Sequence, residues 1–222
     1  MKEPDIGLQG LFHVNQFDVY TTTISAPVCL LFMATINIIN RETVPGTKYP
    51  LQTITFQKPD LHGQMHDQKN EIYFRPDAVA VLLVDIKAEK FLLARQFRLP
   101  TFLNGSETGY LVETCAGLID EGETPEQAVR REVQEEMGYT ISNLEKVGGV
   151  YTSAGSITEF VHLFMAEYNS TGTHEKGGGK AGEGEDIELL ELNFSEAREQ
   201  VRMGSILDAK TMLLLQHYFM NI

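Results

Sequence analysis

Apolar residues fall along this chain in short alternating stretches and runs, with helical patterns set between them. Residues 51–57 (LQTITFQ) alternate with the period of two expected of a half-buried strand. Residues 71–74 (EIYF) offer a partner strand across a polar turn rich in Asp, Gly, His and Gln. Residues 78–85 (AVAVLLVD) form an apolar run of buried-strand length, and a tight IKAE turn leads to a hairpin partner at 90–97 (KFLLARQF). Residues 110–114, 146–152, 160–168 and 187–193 complete the strand-like segments. Residues 195–203 and 208–220 read as helices opened by Ser195 and Asp208. A third helix starts after Thr124, a hydroxyl N-cap followed by Pro125 at N1 and Gln127 as capping-box partner. Gly138 ends it, because glycine enters the left-handed conformation cheaply at C′. Val129, Val133 and Met137, spaced four apart, give that helix an apolar stripe for a core.

Strands and helices mixed in this order, with no repeat, predict an α/β fold with a mixed central sheet packed between helices. Residues 34–75 are expected to form a small N-terminal β element, and 76–222 the main domain. Residues 1–33 read as an extension outside the core, since MATINIINRETV from Met33 begins a plausible first strand. The segment 169–184 (NSTGTHEKGGGKAGEG) is too polar and glycine-rich for regular structure. A loop of that length is a lid or a linker, and strand-like sequence resuming directly after it favours a lid.

Charge narrows the partners. The chain of 222 residues carries 31 acidic against 18 basic residues, a formal net charge of −13. Nucleic acid and anionic membrane surfaces would be repelled by such a field. A small diphosphate ester is still compatible, because a bound divalent cation inverts the local field. The apolar stretch 24–39 is too short to span a bilayer, is interrupted by Pro27 and Asn37, and follows acidic residues. The two cysteines, Cys29 and Cys115, make neither a disulfide framework nor a metal-ligand pattern, which suits a reducing cytoplasm.

The candidate chemistry lies in residues 117–139, GLIDEGETPEQAVRREVQEEMGY. At about 100° per residue, Glu132, Glu135 and Glu136 share roughly one third of the helix circumference. Like charges so crowded cost stability unless a cation sits among them. Carboxylate oxygens are the hard ligands Mg²⁺ prefers, and Mg²⁺ typically brings a phosphate with it.

Gly117, Glu123, Arg131, Glu132, Glu135, Glu136 and Gly138 resemble the signature of the Nudix hydrolases, departing only at Tyr139, where an aliphatic residue is usual. The resemblance extends through RQFR (95–98), NGSETG (104–109), ETCAG (113–117), SAGSITE (153–159), EDIE (185–188) and DAKTMLLL (208–215). It is strongest to the GDP-mannose hydrolases, which group with ADP-ribose and UDP-sugar pyrophosphatases. That resemblance implies an α/β/α Nudix sandwich preceded by a small N-terminal β-sheet element, in a homodimer that exchanges N-terminal strands. It places the metal ligands, for Mg²⁺ or Mn²⁺, on the Ala116 carbonyl, Glu132, Glu136 and Glu185. Substrate contacts would come from Arg98, Ala116, Gly117, Leu118, Glu136, Glu159 and Lys210, with Tyr49, Lys69 and Glu71 supplied by the partner chain.

The implied reaction is hydrolysis of a nucleoside diphosphate sugar to a nucleoside monophosphate and a sugar 1-phosphate. Glu132, Glu135, Glu136, Glu159 and Glu185 are its candidate catalytic residues. Glu135 would act through metal-bound water, and either Glu159 or Glu185 would be the base. Glu123 and Arg131 are expected to pair and fix the signature loop against its helix. Asn70 stands where the family has arginine, Gly184 where it has an acidic residue, and Ala154 where an ADP-ribose-type proline is common. An ADP-ribose pyrophosphatase and a non-catalytic nucleotide-sugar-binding Nudix domain are the alternatives.

Overall fold

Covering both faces of one strand explains why 78–85 is apolar without a break. In the computed structural model, which describes residues 36–172, 177–179 and 186–221, Ala78–Asp85 is the centre of a seven-stranded sheet. The extension 1–33, with the start expected at Met33, and Glu185 lie outside the described residues.

The larger unit comprises Pro76–Thr152 and Phe160–Ile222. Its strands are β4 (Ala78–Asp85), β5 (Lys90–Phe97), β6 (Tyr110–Glu113), β7 (Cys115–Leu118), β8 (Ser142–Tyr151), β9 (Phe160–Glu167) and β10 (Glu188–Asn193). The path runs β10-β5-β4-β9-β8, with β6 paired to β5 and β7 to β4. Only β4 and β9 are parallel, which makes the sheet mixed. Alternate residues of β4 face opposite layers. Val79, Val81 and Leu83 pack with Val129, Val133 and Met137 of the signature helix. Ala80, Leu82 and Val84 pack with Leu214, Leu215 and Tyr218 on the other side. The α/β/α sandwich expected from the resemblance is the observed architecture.

The hairpin β4–β5 is not zipped along its length. The two strands pair only from Leu83–Asp85 to Lys90–Leu92 and then diverge. Beyond that point Ala78–Val81 pairs with β7 and Ala94–Phe97 with β6. The hydrophobic pattern runs 110–114 into the signature loop, and it does not separate β7 as a strand of its own. It also misses α1 (Leu99–Leu103), a single turn begun by Pro100 near its start. The remaining helices are α2 (Pro125–Glu132), α3 (Phe194–Met203) and α4 (Ala209–Met220). Helix α3 starts one residue before the expected 195, with Asn193 rather than Ser195 as its N-cap.

The smaller unit gathers residues 36–75 with Ser153–Glu159. Strands β1 (Asn37–Val44), β2 (Leu51–Pro59) and β3 (Met65–Tyr73) form an antiparallel sheet in that order. Strand β3 begins well before the expected 71, because polar cross-strand partners extend the hairpin where apolar alternation stops. Asp60 closes the turn by accepting from the His62 and Gln64 amides at 2.8 and 2.9 Å, and Gln57 Nε2 donates to Asp67 Oδ1 at 2.7 Å. Ser153–Glu159 joins through Tyr73 N–H, which donates to Ser156 O at 2.8 Å. All of β1 is exposed, and among the described residues of this sheet only Ile54 is a buried hydrophobe. Three strands with so little buried apolar surface do not form a self-sufficient core.

Candidate active site

The signature helix begins as its sequence predicts. Thr124 Oγ1 accepts from Gln127 N at 3.3 Å and Gln127 Oε1 from Thr124 N at 2.8 Å, closing the capping box. It ends at Gly138, which is left-handed at φ 74°. Between these points the geometry departs from the uniform α-helix expected: Val133–Met137 widens into a π turn. Such turns often mark functional sites. Here the wider turn lets Val133 and Met137 stay in the core while Glu136 also turns inward, only 4% exposed.

That inward turn brings the carboxylates onto β7. Glu136 Oε2 accepts from the Ala116 amide at 3.3 Å. Glu132 lies directly over Gly117, and a Cβ there would collide with the Glu132 carboxyl group. Gly117 is therefore required for close approach, not for an unusual backbone angle. At the first residue of β7, burial pushes the Cys115 thiol up, and the nearby Glu136 and Glu132 carboxylates push it the same way.

Among the described residues, Arg131 is the cation that pairs with these acids. It donates to Glu123 through Nε (3.0 Å) and Nη2 (2.8 Å), to the Leu118 carbonyl at 3.0 Å, to Glu132 at 2.7 Å and to Glu135 at 3.4 Å. These hydrogen bonds, that to Glu123 foremost, hold the guanidinium charged. The expected Glu123–Arg131 pair is present and ties the signature loop to its helix. Arg131 also occupies the Leu118 carbonyl. The glycine run of the polar loop touches the same helix: Gly178 N–H donates to the Glu136 carbonyl at 2.7 Å.

A second cluster lies just upstream on the same stretch of chain. Arg98, the residue after β5, donates from Nε to Glu113 Oε2 at 2.7 Å. Lys210, in the first turn of α4, donates to Asp208 Oδ1 at 2.6 Å and to Glu113 Oε1 at 3.4 Å. Glu113 ends β6, three residues before Ala116. Glu113 and Asp208 escape a residue-by-residue reading. The only signals were a glutamate at the head of ETCAG and an aspartate already assigned as a helix cap.

In the smaller unit Arg75 Nε donates to Glu159 Oε2 at 3.0 Å, and the same guanidinium lies 5.4 Å from the centre of the Tyr49 ring. Lys69 and Glu71 sit on β3 opposite Thr55 and Thr53, and both are exposed. The structure thus brings Ala116, Gly117 and Leu118 together with Glu132, Glu135 and Glu136. Separately, Glu113 contacts both Arg98 and Lys210, and Arg75 contacts both Glu159 and the Tyr49 ring.

The donor set fits a hard divalent cation. Among the described residues no three His, Cys, Asp or Glu side chains make a metal cage. Mg²⁺ does not need one, since it is commonly held by one or two carboxylates, water and the substrate's own phosphates. Glu132 and Glu136 on the backbone of β7 supply that number.

Comparison with known proteins bears on the same segment. A family model described as the NUDIX domain matches residues 74–211. The GDP-mannose pyrophosphatase of Cronobacter sakazakii is 44% identical over 182 residues, 82% of this chain and 94% of that protein. The GDP-mannose pyrophosphatase of Shigella flexneri serotype 5b is 40% identical over 186 residues, 84% of this chain and 96% of that one. A solved structure described as an ADP compounds hydrolase superposes with a TM-score of 0.63 at 18% identity, covering 84% of this chain and 94% of that one. At that identity the likeness is one of fold.

Proposed function

This chain belongs to the Nudix family and is a Nudix hydrolase, and from that premise we propose that it hydrolyses nucleoside diphosphate sugars, GDP-mannose foremost. The observation that carries the reading is the placement of Glu132 and Glu136 against the backbone of Ala116 and Gly117. The curated relatives named for GDP-mannose support the choice of substrate.

In the proposed reaction a water oxygen bonds to one phosphorus of the diphosphate as the bridging P–O bond breaks. The water's proton passes to a carboxylate, and a nucleoside monophosphate and a sugar 1-phosphate leave. Glu132, Glu136, the Ala116 carbonyl and Glu185 would hold Mg²⁺, or Mn²⁺ in its place; Glu185 enters by resemblance alone. When bound, that cation neutralises the diphosphate and acidifies a coordinated water. Arg98 and Lys210 bind the anionic substrate; the planar fork of Arg98 suits a diphosphate better than a point charge would. Glu135 orients water, and Glu159 or Glu185 accepts the proton. Arg75 fixes the direction of Glu159 through their 3.0 Å contact.

The proposal includes a homodimer exchanging N-terminal strands, so that Tyr49, Lys69 and Glu71 serve the partner's site. The exposed Ile36, Ile38, Ile39 and Val44 on and beside β1 support it, since a second chain would cover them. Cytoplasmic action, expected from the unpatterned cysteines, belongs to the same reading. Chromatography of products after incubation with GDP-mannose, ADP-ribose, UDP-glucose or GTP, each with Mg²⁺, tests it. GMP and mannose 1-phosphate should accumulate fastest. Faster cleavage of ADP-ribose or GTP, or no cleavage of any, would reject it.

A further inference from the structure

Lys210 stands where a helix disfavours it. It is the second residue of α4, and the positive end of a helix dipole repels a cation there. Asp208 and Glu113 hold it in place, at 2.6 and 3.4 Å. Glu113 is itself unusual, a carboxylate with a side chain 4% exposed. A buried carboxylate costs stability unless it is paired and hydrogen-bonded. Its two oxygens go to two different cations: Oε2 accepts from Arg98 Nε and Oε1 from Lys210 Nζ. A local conflict of this kind, resolved by a buried charge, is expected where function and not folding sets the residues.

The contacts also set which donors are engaged and which remain. The Arg98 pair engages Nε and leaves the Nη nitrogens. Lys210, with three donors, spends two on carboxylates. The frame beneath is rigid. Thr114 N–H donates to Thr211 Oγ1 at 2.7 Å, and Thr211 Oγ1 donates to Asp208 Oδ2 at 2.7 Å, fastening the β6–β7 junction to the start of α4. Two residues beyond that junction lies Ala116.

We propose that Glu113 is a positioning residue for diphosphate recognition, locking Arg98 and Lys210 into one anion-binding pair whose remaining donors face the substrate. The inference rests on the reading of Arg98 and Lys210 as substrate-binding. The four side chains Arg98, Lys210, Glu113 and Asp208 are formally neutral together. Attraction for a diphosphate then depends on which atoms face it, and that is what Glu113 controls.

This gives Glu113→Gln an expected sign opposite to that of charge alone. Removing a negative charge beside the site would by itself tighten binding of an anion. Gln, however, offers one acceptor oxygen to two cations and turns an NH₂ donor on the other. Positioning therefore predicts that KM for GDP-mannose rises about 10-fold or more while kcat stays within about threefold. In an Arg98→Ala/Lys210→Ala background the same replacement should change KM by less than about twofold, because there is no longer anything to orient. Glu113→Asp, which keeps the charge but shortens the reach, should raise KM in the wild-type background too, and serves if the Gln variant does not fold. Calorimetric titration of the metal-free protein with GDP should follow the same order without turnover. An unchanged or lowered KM in both Glu113 variants overturns the proposal, as does an equal rise in the double-alanine background. If GDP-mannose is hydrolysed but Arg98→Ala and Lys210→Ala leave KM at the wild-type value, the role of Glu113 fails while the activity stands. No hydrolysis of any nucleotide sugar would instead reject the activity itself.

Discussion

Adding one methyl group at Gly117 should damage the site more than the fold. A Cβ at that position meets the Cγ, Cδ and Oε1 atoms of Glu132 inside van der Waals contact. Glu132 cannot simply swing into solvent: its side chain is 14% exposed and is held by Arg131 at 2.7 Å. Ordinary contact requires the carboxylate to move by about 1 Å or more, and a misplacement of that size at a reacting centre costs about 10²-fold in rate. That loss corresponds to roughly 2.7 kcal/mol of transition-state stabilisation. Over-packing a well-filled position costs about 1–3 kcal/mol of stability, so Gly117→Ala should remain folded while losing most of its kcat. Two measurements check this: single-substrate kinetics on GDP-mannose with Mg²⁺, and calorimetric titration of Mn²⁺ into the substrate-free protein. Both kcat and Mn²⁺ affinity should fall. A variant that keeps more than about one fifth of wild-type kcat, a loss under about 1 kcal/mol, with unchanged Mn²⁺ affinity would show that Glu132 need not lie over Gly117 for catalysis.

Glu136→Gln should lower kcat by more than about tenfold, or 1.4 kcal/mol, yet leave the melting temperature of the metal-free protein equal or higher. It removes a charge from a crowded acidic site but keeps an acceptor for the Ala116 amide. For pH, Arg131 holds the Glu123 carboxyl below the ordinary glutamate range, chiefly through their hydrogen bonds. A depressed folded-state pKa stabilises the protein above the unfolded value of about 4.3 and loses that effect as pH falls through the folded value. Glu123→Gln should therefore lower the melting temperature at pH 7, and the gap from wild type should close below about pH 4; a gap that persists or widens in acid contradicts the pairing. Finally, Lys69→Ala should raise KM with little change in kcat, and mixing Glu136→Gln chains with Lys69→Glu/Glu71→Lys chains should restore activity. If mass spectrometry shows chain exchange and no activity returns, the N-terminal sheet does not serve the partner's site.

The chain by itself determined what neighbouring residues can decide. The capping box of Thr124 and Gln127 and the stop at Gly138 are local hydrogen-bonding and backbone preferences, so both ends of the signature helix were readable. So were β4 and β5, because an apolar run with a tight turn has few alternatives. The polar half of β3 was not, since Gln57–Asp67 and the Asp60 turn make a strand only when the hairpin has closed. Tertiary structure alone decided how deeply each acid of the signature helix is buried. Glu132, Glu135 and Glu136 look equivalent on a helical wheel. The π turn and β7 bury Glu136 and press Glu132 onto Gly117, while Glu135 stays more exposed, at 30% of its side chain. Glu113 gave no sign in the sequence of its two partners, which stand before β6 and far beyond it in the chain. Their meeting depends on β5 diverging from β4 to admit β6, and on α4 packing its capped end against the β6–β7 junction. A short-range pattern carries no information about such contacts, because the free energy that brings these elements together comes from burying the apolar faces of the sheet and α4 in one core, and the charges meet only once that core is built.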